Sequence, residues 1–589
     1  MDSPGSIPAD VVATAGRRPP VTRRAPAARR WLAAGAWTLA TLAAFAAYLQ
    51  LARTRAVNSD GASQALQAWD MLHGNPLLRG WTLTDVSFYT TELPQYMLVE
   101  LVRGLGQDVV HVAAAMTYAL AVLSAALLAK GNATGREAAV RAGLAAGIML
   151  APQLGSGVNV LVSSPDHMGT SVPLMAVWLI LDRARPRWYI PVVTSLLLAW
   201  AQIADTLVFF AGVVPLAAVC AIRVRPAMAA GRPLAPRLAA RWYEIALGGG
   251  AVLAAGLAVG IQRLITAAGG YGMHPVGTRL APVGTIIGHN LAITGDSLLL
   301  LPGADFLGLP MNAATFFVTL HLVGVVLGGC AVLAATLRLR KADDLVSQVL
   351  LAGIAVTVAA FVVSAHAVSL PSAREIAPVL PFAAALAGRQ LGPPLVAVRP
   401  ARRALLPLLG IALAGYLAGL GLEISKPSAP PQASQLTSWL ESHPLGTGLS
   451  GFWEANVVTL TSGERVAVLL VTADGDMITA GGTEVSAAWY DPGRSSAHFV
   501  VLFPGIQGYP GFTARRQVLA TFGKPARTYH VGRYTIWYWP ENLLTELRQP
   551  ARQGMSAGSA GWGVPTSSGA SVLKIWDRKG PPAGPFYPT

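Results

Sequence analysis

Residues 58–73, NSDGASQALQAWDMLH, place an acidic side chain, Asp60, directly after the first long apolar run of the chain. Apolar residues then recur at the 3.6-residue spacing of one helix face. They are Ala62, Ala65, Leu66, Trp69 and Leu72. Asn58, Ser59 and Asp60 are all residue types that favour the N-cap of a helix. The stretch therefore predicts a capped amphipathic helix, with Asp60 fixed at its start.

The composition indicates that this helix lies beside a membrane. Of the 589 residues, 53% are hydrophobic and 12% are charged, and the mean hydropathy is +0.49. A soluble globular protein carries about 25% charged residues. The net charge of +15 would suggest a nucleic acid partner in a soluble protein, but the cytoplasmic loops of membrane proteins also collect Lys and Arg. We therefore predict a polytopic α-helical membrane protein that binds no nucleic acid.

Changes in composition divide the chain into four parts. Residues 1–30 are polar and rich in Arg, Pro and Ala, which predicts a disordered cytoplasmic tail. Residues 31–423 contain about eleven transmembrane helices, at roughly 20 residues per crossing. The predicted spans are 31–51, 111–129, 137–153, 170–182, 188–204, 206–222, 243–262, 313–336, 346–365, 376–389 and 404–423. Residues 432–549 hold short β-type runs such as SAHFVVLFPG and predict a soluble α/β or mostly β domain, and residues 550–589, rich in Gly, Ser and Pro, predict a flexible tail.

The distribution of basic residues predicts the orientation in the membrane. If the N-terminus is cytoplasmic, Arg and Lys concentrate in every cytoplasmic loop, as the positive-inside rule requires. The outer loops are then 52–110, 154–169, 263–312 and 366–375. We expect a plasma-membrane protein with a large first outer loop and an extracytoplasmic C-terminal domain.

Several polar residues of the predicted outer face are candidates for a site. Glu92 follows Asp60 in the first outer loop, and Asp166 and His167 lie together in the second. A lone Asp-His pair is also a common helix cap or solvated feature. Asp205 stands between two apolar runs, where it is either a carboxylate within the membrane, which is usually functional or paired, or part of a short outer turn.

Two stretches resemble the GT-C class of membrane glycosyltransferases. Asp60 and the helix that ends in AWDMLHGNPLL are similar to the acidic residue and helix of that class after its first span. The run SAREIAPVLPFAAALAG, residues 372–388, is similar to the start of a late span in the class, although Glu375 stands where Tyr is common. Many members carry a second acid directly after the first, whereas Gly61 follows Asp60 here. GFWEANVVTLTSGERV in the C-terminal region resembles actinobacterial polytopic membrane proteins.

The resemblance implies a reaction and its participants. The donor would be a sugar linked to a polyprenyl phosphate, and the acceptor an envelope glycan, lipid or protein. Asp60 would take the proton of the acceptor hydroxyl as general base. Arg374 would bind the lipid phosphate, because guanidinium pairs with phosphate oxygens, unless it is only an interfacial arginine. Asp205, Glu92, Asp166 and His167 would join Arg374 in binding substrate. No cofactor is implied with certainty, and a divalent metal stays open.

Two other classes of function fit part of the sequence. The absent second acid is compatible with a non-catalytic membrane protein that binds or scaffolds envelope lipids or glycans. A transporter is disfavoured because charged residues lie almost wholly in the predicted loops, apart from Asp205. A transferase should gather Asp60, Arg374 and Asp205 at one outward-facing site, whereas a transporter should show a polar path through the bilayer.

Overall fold

The computed structural model describes residues 27–150, 157–229, 238–274, 279–339, 344–505 and 511–547. The predicted tails 1–30 and 550–589 lie outside these residues, except for residues 27–30 in the first helix. The helices that precede residue 425 are α1 (Ala27–Arg53), α2 (Ser59–Leu72), α3 (Glu92–Arg103), α4 (Gln107–Lys130), α5 (Gly135–Met149), α6 (Gly157–Leu161), α7 (Asp166–Arg183), α8 (Tyr189–Ala204), α9 (Val214–Ala229), α10 (Trp242–Ala267), α11 (Val283–Thr285), α12 (Leu291–Leu300), α13 (Ala313–Leu320), α14 (Leu322–Arg338), α15 (Leu345–Val363), α16 (Val379–Ala397) and α17 (Arg399–Ile424). Two π-helical turns, Phe209–Val213 and Ile286–Asn290, lead into α9 and α12, and a 3₁₀ helix, Leu370–Ile376, precedes α16.

The chain is a multi-pass membrane protein. Within the described residues, six helical stretches are long and apolar enough to cross a membrane. They are Trp31–Arg53, Gln107–Lys130, Trp242–Ala267, Ala313–Arg338, Leu345–Val363 and Arg403–Ile424. The other predicted spans are also largely helical, but their helices are shorter or less apolar, so the count of eleven stays a prediction. Large apolar side chains such as Leu253 and Phe316 face outward from the bundle. Such an exposed apolar surface is favourable in contact with lipid and unfavourable in contact with water.

Small side chains bring the helices of the bundle together, as is usual where lipid rather than water surrounds them. Gly388 of α16 contacts α5 so closely that a Cβ there would lie 2.6 Å from Ala129 of α4 and collide with the Arg141 carbonyl. Two polar side chains inside the bundle share one acceptor. The rings of Tyr48 and Tyr118 pack edge to face, and both hydroxyls donate to the Met149 carbonyl, at 3.3 and 2.8 Å.

The region after residue 432 has its own hydrophobic core around a mixed sheet. Its helices are α18 (Ser434–Ser442), α19 (Phe452–Thr461) and α20 (Arg515–Phe522), with 3₁₀ turns at Ala487–Tyr490 and Leu543–Thr545. Strands β1 (Trp81–Leu83) and β2 (Gly272–Met273) lie earlier in the chain. The strands of this region are β3 (Thr447–Ser450), β4 (Val468–Asp474), β5 (Met477–Ala480), β6 (Val485–Ser486), β7 (Ala497–Leu502), β8 (Arg527–Val531) and β9 (Tyr534–Tyr538). Six of them form one sheet in the order β5-β4-β3-β7-β9-β8, in which β3 runs parallel to both β4 and β7.

A second, three-stranded sheet joins this region to two loops of the membrane part. Its central strand is β1 (Trp81–Leu83) in the first long loop. Strand β2 (Gly272–Met273) pairs parallel to one edge of β1, and β6 pairs antiparallel to the other, with Thr82 opposite Val485. Helix α19 also packs on α2, and the Ser59 hydroxyl donates to the Phe452 carbonyl at 2.5 Å. The C-terminal region is therefore seated directly on the loop that carries Asp60.

Candidate functional site

The structure selects Asn58 as the N-cap of α2 from the three candidates Asn58, Ser59 and Asp60, so Asp60 is not the cap. The Asn58 side-chain oxygen accepts a hydrogen bond from the Gly61 N–H at 2.9 Å, as an N-cap side chain does. Asp60 instead lies in the first turn, where the helix dipole favours a negative charge. Its carboxylate is consequently free to make contacts outside its own helix.

Arg374 makes that contact. It lies near the end of the 3₁₀ helix Leu370–Ile376, and its Nη1 is 3.0 Å from Asp60 Oδ2. The same nitrogen is 4.0 Å from Asp166 Oδ2. The Arg374 side chain is 41% exposed, whereas that of Asp60 is 18% exposed. The ion pair therefore lies at a surface, with the arginine toward the open side.

Asp166 is the buried acid of this group, at the first residue of α7. The Gln64 amide donates to its Oδ1 at 3.0 Å and the Ser164 hydroxyl donates to its Oδ2 at 2.8 Å. Its backbone has φ of +35°, in the left-handed region that non-glycine residues rarely adopt. Such strain persists only where the surroundings over-determine it, and it is common at functional sites.

His167, the next residue, connects Asp166 to Asp205. Its Nδ1 is 2.9 Å from Asp205 Oδ2, and its Nε2 is 3.7 Å from Glu375 Oε1. Burial lowers the pKa of His167, but the carboxylates of Asp205 and Glu375 outweigh burial and raise it to about 10. The imidazole is therefore a buried cation at neutral pH, held between two acids.

Asp205 is fixed from several sides. It ends α8 in a short turn, so of the two alternatives for this residue the structure places it in a turn. One carboxylate oxygen accepts from the Leu207 N–H at 2.8 Å, and the other accepts from the Thr170 hydroxyl and His167. With all of these contacts made inside the protein, Asp205 is placed to orient His167 rather than to meet a ligand itself.

Glu92 is the most enclosed of the predicted residues. It begins α3 and packs on Gly169, where a Cβ would lie 2.6 Å from the Glu92 Cδ. The Thr91 hydroxyl donates to its Oε2, and its Oε1 has no hydrogen-bond partner in the described part of the chain. Burial raises the pKa of Glu92 to about 8, so this side chain carries a proton at neutral pH.

The structure thus brings all six predicted residues into one cluster, through Arg374 on one side and His167 on the other. It also adds a residue that the sequence did not single out, Glu484, from the C-terminal region. The Ser63 hydroxyl and the charges of Asp60, Asp166 and Arg374 all act on the pKa of its carboxyl group. The one local signal was an acid between the Gly-Gly of GGTEV and a short β-type run.

The cluster can bind an anion and accept a proton, but it has no arrangement of metal ligands. Among the described residues, no group of three or more His, Cys, Asp or Glu side chains is placed to hold a metal ion. A cavity of about 160 Å³ lies elsewhere, between α5, α14 and α17, and its lining is almost wholly apolar.

The fold is that of GT-C glycosyltransferases, which confirms the resemblance at the level of architecture. A crystal structure of ArnT from Cupriavidus metallidurans bound to undecaprenyl phosphate superimposes with a TM-score of 0.53 at 14% identity, covering 87% of this chain and 98% of that chain. The same enzyme in the apo state gives a TM-score of 0.51 at 13% identity, covering 89% and 100%. An Archaeoglobus fulgidus oligosaccharyltransferase tethered with an acceptor peptide gives 0.46 at 13% identity, covering 80% and 70%. No protein-family profile and no curated protein matches the chain.

Proposed function

We propose that this protein is a membrane glycosyltransferase that moves a sugar from a polyprenyl-phosphate donor to a hydroxyl of a cell-envelope acceptor at the outer face of the membrane. The observation that carries the proposal is the ion pair of Asp60 and Arg374, which places a candidate base beside a half-exposed candidate phosphate ligand. The ArnT structure with undecaprenyl phosphate, which shares the fold, supports a lipid phosphate as the bound group.

Arg374 is suited to a phosphate. Among the described residues, both of its ion pairs run through Nη1, which leaves the Nη2 and Nε N–H groups to donate to phosphate oxygens. A polyprenyl phosphate keeps its chain in the bilayer and its head at the surface, where Arg374 lies open. Binding of the phosphate would also draw the guanidinium from Asp60 and so release the carboxylate for the reaction.

Asp60 is suited to proton transfer. Burial raises its pKa, and the nearby Arg374, which lowers it, does not cancel the effect. A base works best when its pKa approaches the working pH. In the reaction the acceptor hydroxyl loses its proton to Asp60, and its oxygen forms a bond to the anomeric carbon. The bond from that carbon to the phosphate breaks, and Arg374 balances the charge on the leaving lipid phosphate.

The remaining residues hold these two in position. Asp166 lies within 4.0 Å of Arg374, and His167 is held as a cation between Asp205 and Glu375. All of these residues lie in loops or at helix ends rather than along the length of a spanning helix. A transporter would need its ionisable residues within the bilayer. The placement of the cluster therefore favours the transferase.

The experiment is sugar transfer in membranes that contain equal amounts of each variant, with labelled undecaprenyl-phosphate hexoses and pentoses as donors. Transfer by the wild type and its loss in Asp60→Asn is the expected result. Asp85→Asn is the matched control, since this carboxylate of the same loop makes no ion pair among the described residues. Equal transfer by Asp60→Asn would remove Asp60 as the base. No transfer by the wild type from any donor would favour the non-catalytic lipid- or glycan-binding alternative.

A further inference from the structure

Glu484 reaches the cluster from the opposite end of the sequence. It directly precedes β6, and its N–H donates to the Thr82 carbonyl of β1 at 2.6 Å. The Asn456 amide donates to its carbonyl oxygen at 3.5 Å. These backbone contacts fasten the C-terminal region to the first long loop, and they require nothing from the Glu484 side chain.

The backbone of Glu484 is strained. Its φ is +56°, in the left-handed region that glycine adopts without cost. Gly481 and Gly482 stand only three and two residues earlier, yet the strained position holds a glutamate. An unfavourable backbone conformation at a residue with a long polar side chain points to a use for that side chain.

The side chain is buried but incompletely paired. Glu484 is 6% exposed, and its Oε2 has no hydrogen-bond partner among the described residues. A buried polar atom without a partner is costly, so such atoms in native proteins call for an explanation. Burial raises the pKa of Glu484, and the negative charges of Asp60 and Asp166 raise it further.

A carboxyl group with an unpaired oxygen matches a hydroxyl group. The oxygen accepts a hydrogen bond from the hydroxyl O–H, and the protonated form of the group can donate one in return. A phosphate offers only acceptors at neutral pH and is better served by Arg374. The charges of Asp60 and Asp166 both act on the pKa of Glu484, so this carboxyl group belongs to the same cluster as the candidate base.

We propose that Glu484 binds a hydroxyl group of the transferred sugar or of the acceptor, so that the site is built from both the first long loop and the C-terminal region. This inference rests on the proposed function for the identity of the ligand. The C-terminal region would then contribute a ligand-binding residue to the site, in addition to packing on α2 and pairing with β1.

The test uses the full chain in lipid nanodiscs and three variants. Glu484→Met keeps the length of the side chain and removes its hydrogen bonds, whereas Glu484→Gln retains a donor and an acceptor. Glu464→Met is the matched control, because Glu464 also has a left-handed φ, of +60°, and also contacts α2, through the Trp69 indole N–H at 3.1 Å. Hydrogen exchange of the β1 and β6 amides reports whether the C-terminal region stays seated.

Binding and turnover then separate the two sources of the hydroxyl. If it belongs to the sugar, Glu484→Met weakens binding of undecaprenyl-phosphate hexoses or pentoses about tenfold and leaves sugar-free undecaprenyl phosphate unchanged. If it belongs to the acceptor, donor binding is unchanged and the KM for the acceptor rises by about the same factor. In either case Glu484→Gln loses less than Glu484→Met, and the β1 and β6 amides stay protected.

Other outcomes would overturn the inference. If Glu484→Met and Glu464→Met have the same donor affinity and the same acceptor KM, Glu484 binds no ligand. An equal loss of sugar-bearing and sugar-free lipid, or loss of amide protection in β6, would show a structural role. If the wild type transfers no sugar but binds the sugar-bearing lipid more tightly than Glu484→Met does, the proposed transferase activity is refuted and the hydroxyl-binding role of Glu484 stands. A wild type that binds both lipids equally and transfers nothing would refute both.

Discussion

Asp60 and Arg374 are 314 residues apart in the chain, and Asp60 Oδ2 lies 3.0 Å from Arg374 Nη1. Three loops meet at this pair, since Asp166 lies 4.0 Å from the same arginine nitrogen. One cation therefore faces two carboxylates. An incoming phosphate would compete with both for the guanidinium, so the strength of lipid binding should depend directly on Arg374.

Arg374→Gln should weaken binding of sugar-free undecaprenyl phosphate about 10- to 100-fold, the range for a lost hydrogen bond to a charged group. The affinity of Arg374→Lys for this lipid should lie between those of the wild type and Arg374→Gln, because an ammonium group keeps the charge but lacks the planar set of N–H donors. Binding to the purified chain in nanodiscs measures both. Arg79→Gln, at an exposed arginine of the same long loop, is the control. Equal affinity in Arg374→Gln and Arg79→Gln would leave Arg374 as an interfacial residue.

Gly61 stands where many GT-C enzymes have a second acid, and the packing explains why an acid is absent. A Cβ at this position would lie 2.6 Å from Val110 Cγ1 and 3.3 Å from Ser164 Cβ. Gly61→Asp should therefore destabilise the protein by about 1–3 kcal/mol, the usual cost of overpacking, rather than improve the site. Thermal unfolding in detergent measures the loss.

Val110→Ala supplies the matched control for this prediction, because it removes the methyl group that position 61 would meet. The double variant Gly61→Asp, Val110→Ala should recover part of the stability that Gly61→Asp loses. A Gly61→Asp variant as stable as the wild type would contradict the packing explanation. Higher transfer in that variant would show that the site accepts a paired acid after all.

The sequence predicted which residues come together in the cluster better than it predicted their local geometry. The apolar runs and the basic loops placed Asp60, Asp166 and Arg374 in predicted outer loops, because loop assignment requires only the length of each span. For Asp205 they left a position within the membrane and a short outer turn both open. The choice of cap between Asn58 and Asp60 depended on side-chain torsions, and all three candidates at that position have similar preferences.

Glu484 and the three-stranded sheet were beyond prediction for a related reason. The strands β2 and β6 have two residues each, which is too short for a period-two pattern to show. Their pairing with β1 joins segments about 190 and 400 residues away, and no local preference encodes such a contact. The resemblance left a divalent metal open. The described residues include no group of His, Cys, Asp or Glu side chains placed to hold a metal ion.

Glu92 and Gly169 are packed so closely that each limits the other. The Cβ of Gly169→Ala would lie 2.6 Å from the Glu92 Cδ, and both residues are enclosed by α3 and α7. We expect Gly169→Ala to lower the free energy of unfolding by about 1–3 kcal/mol. Glu92→Ser should restore much of that loss in the double variant, although each single change destabilises. A double-variant loss equal to the sum of the single losses would show that the two side chains do not interact.

Glu92 also predicts how stability depends on pH. Burial raises its pKa from 4.5 to about 8, so the folded protein holds this proton at pH values where the unfolded chain has lost it. The stabilising contribution of the proton is complete below about pH 4.5 and is lost as the pH rises through about 8. The melting temperature of the wild type should therefore fall relative to that of Glu92→Gln, which cannot lose a proton, over this window. Thermal unfolding of both in detergent from about pH 5 to pH 9 measures the difference, with Glu541→Gln, at an exposed glutamate, as the control. Curves for the wild type and Glu92→Gln that stay parallel across the window would mean that Glu92 is ionised in the folded protein.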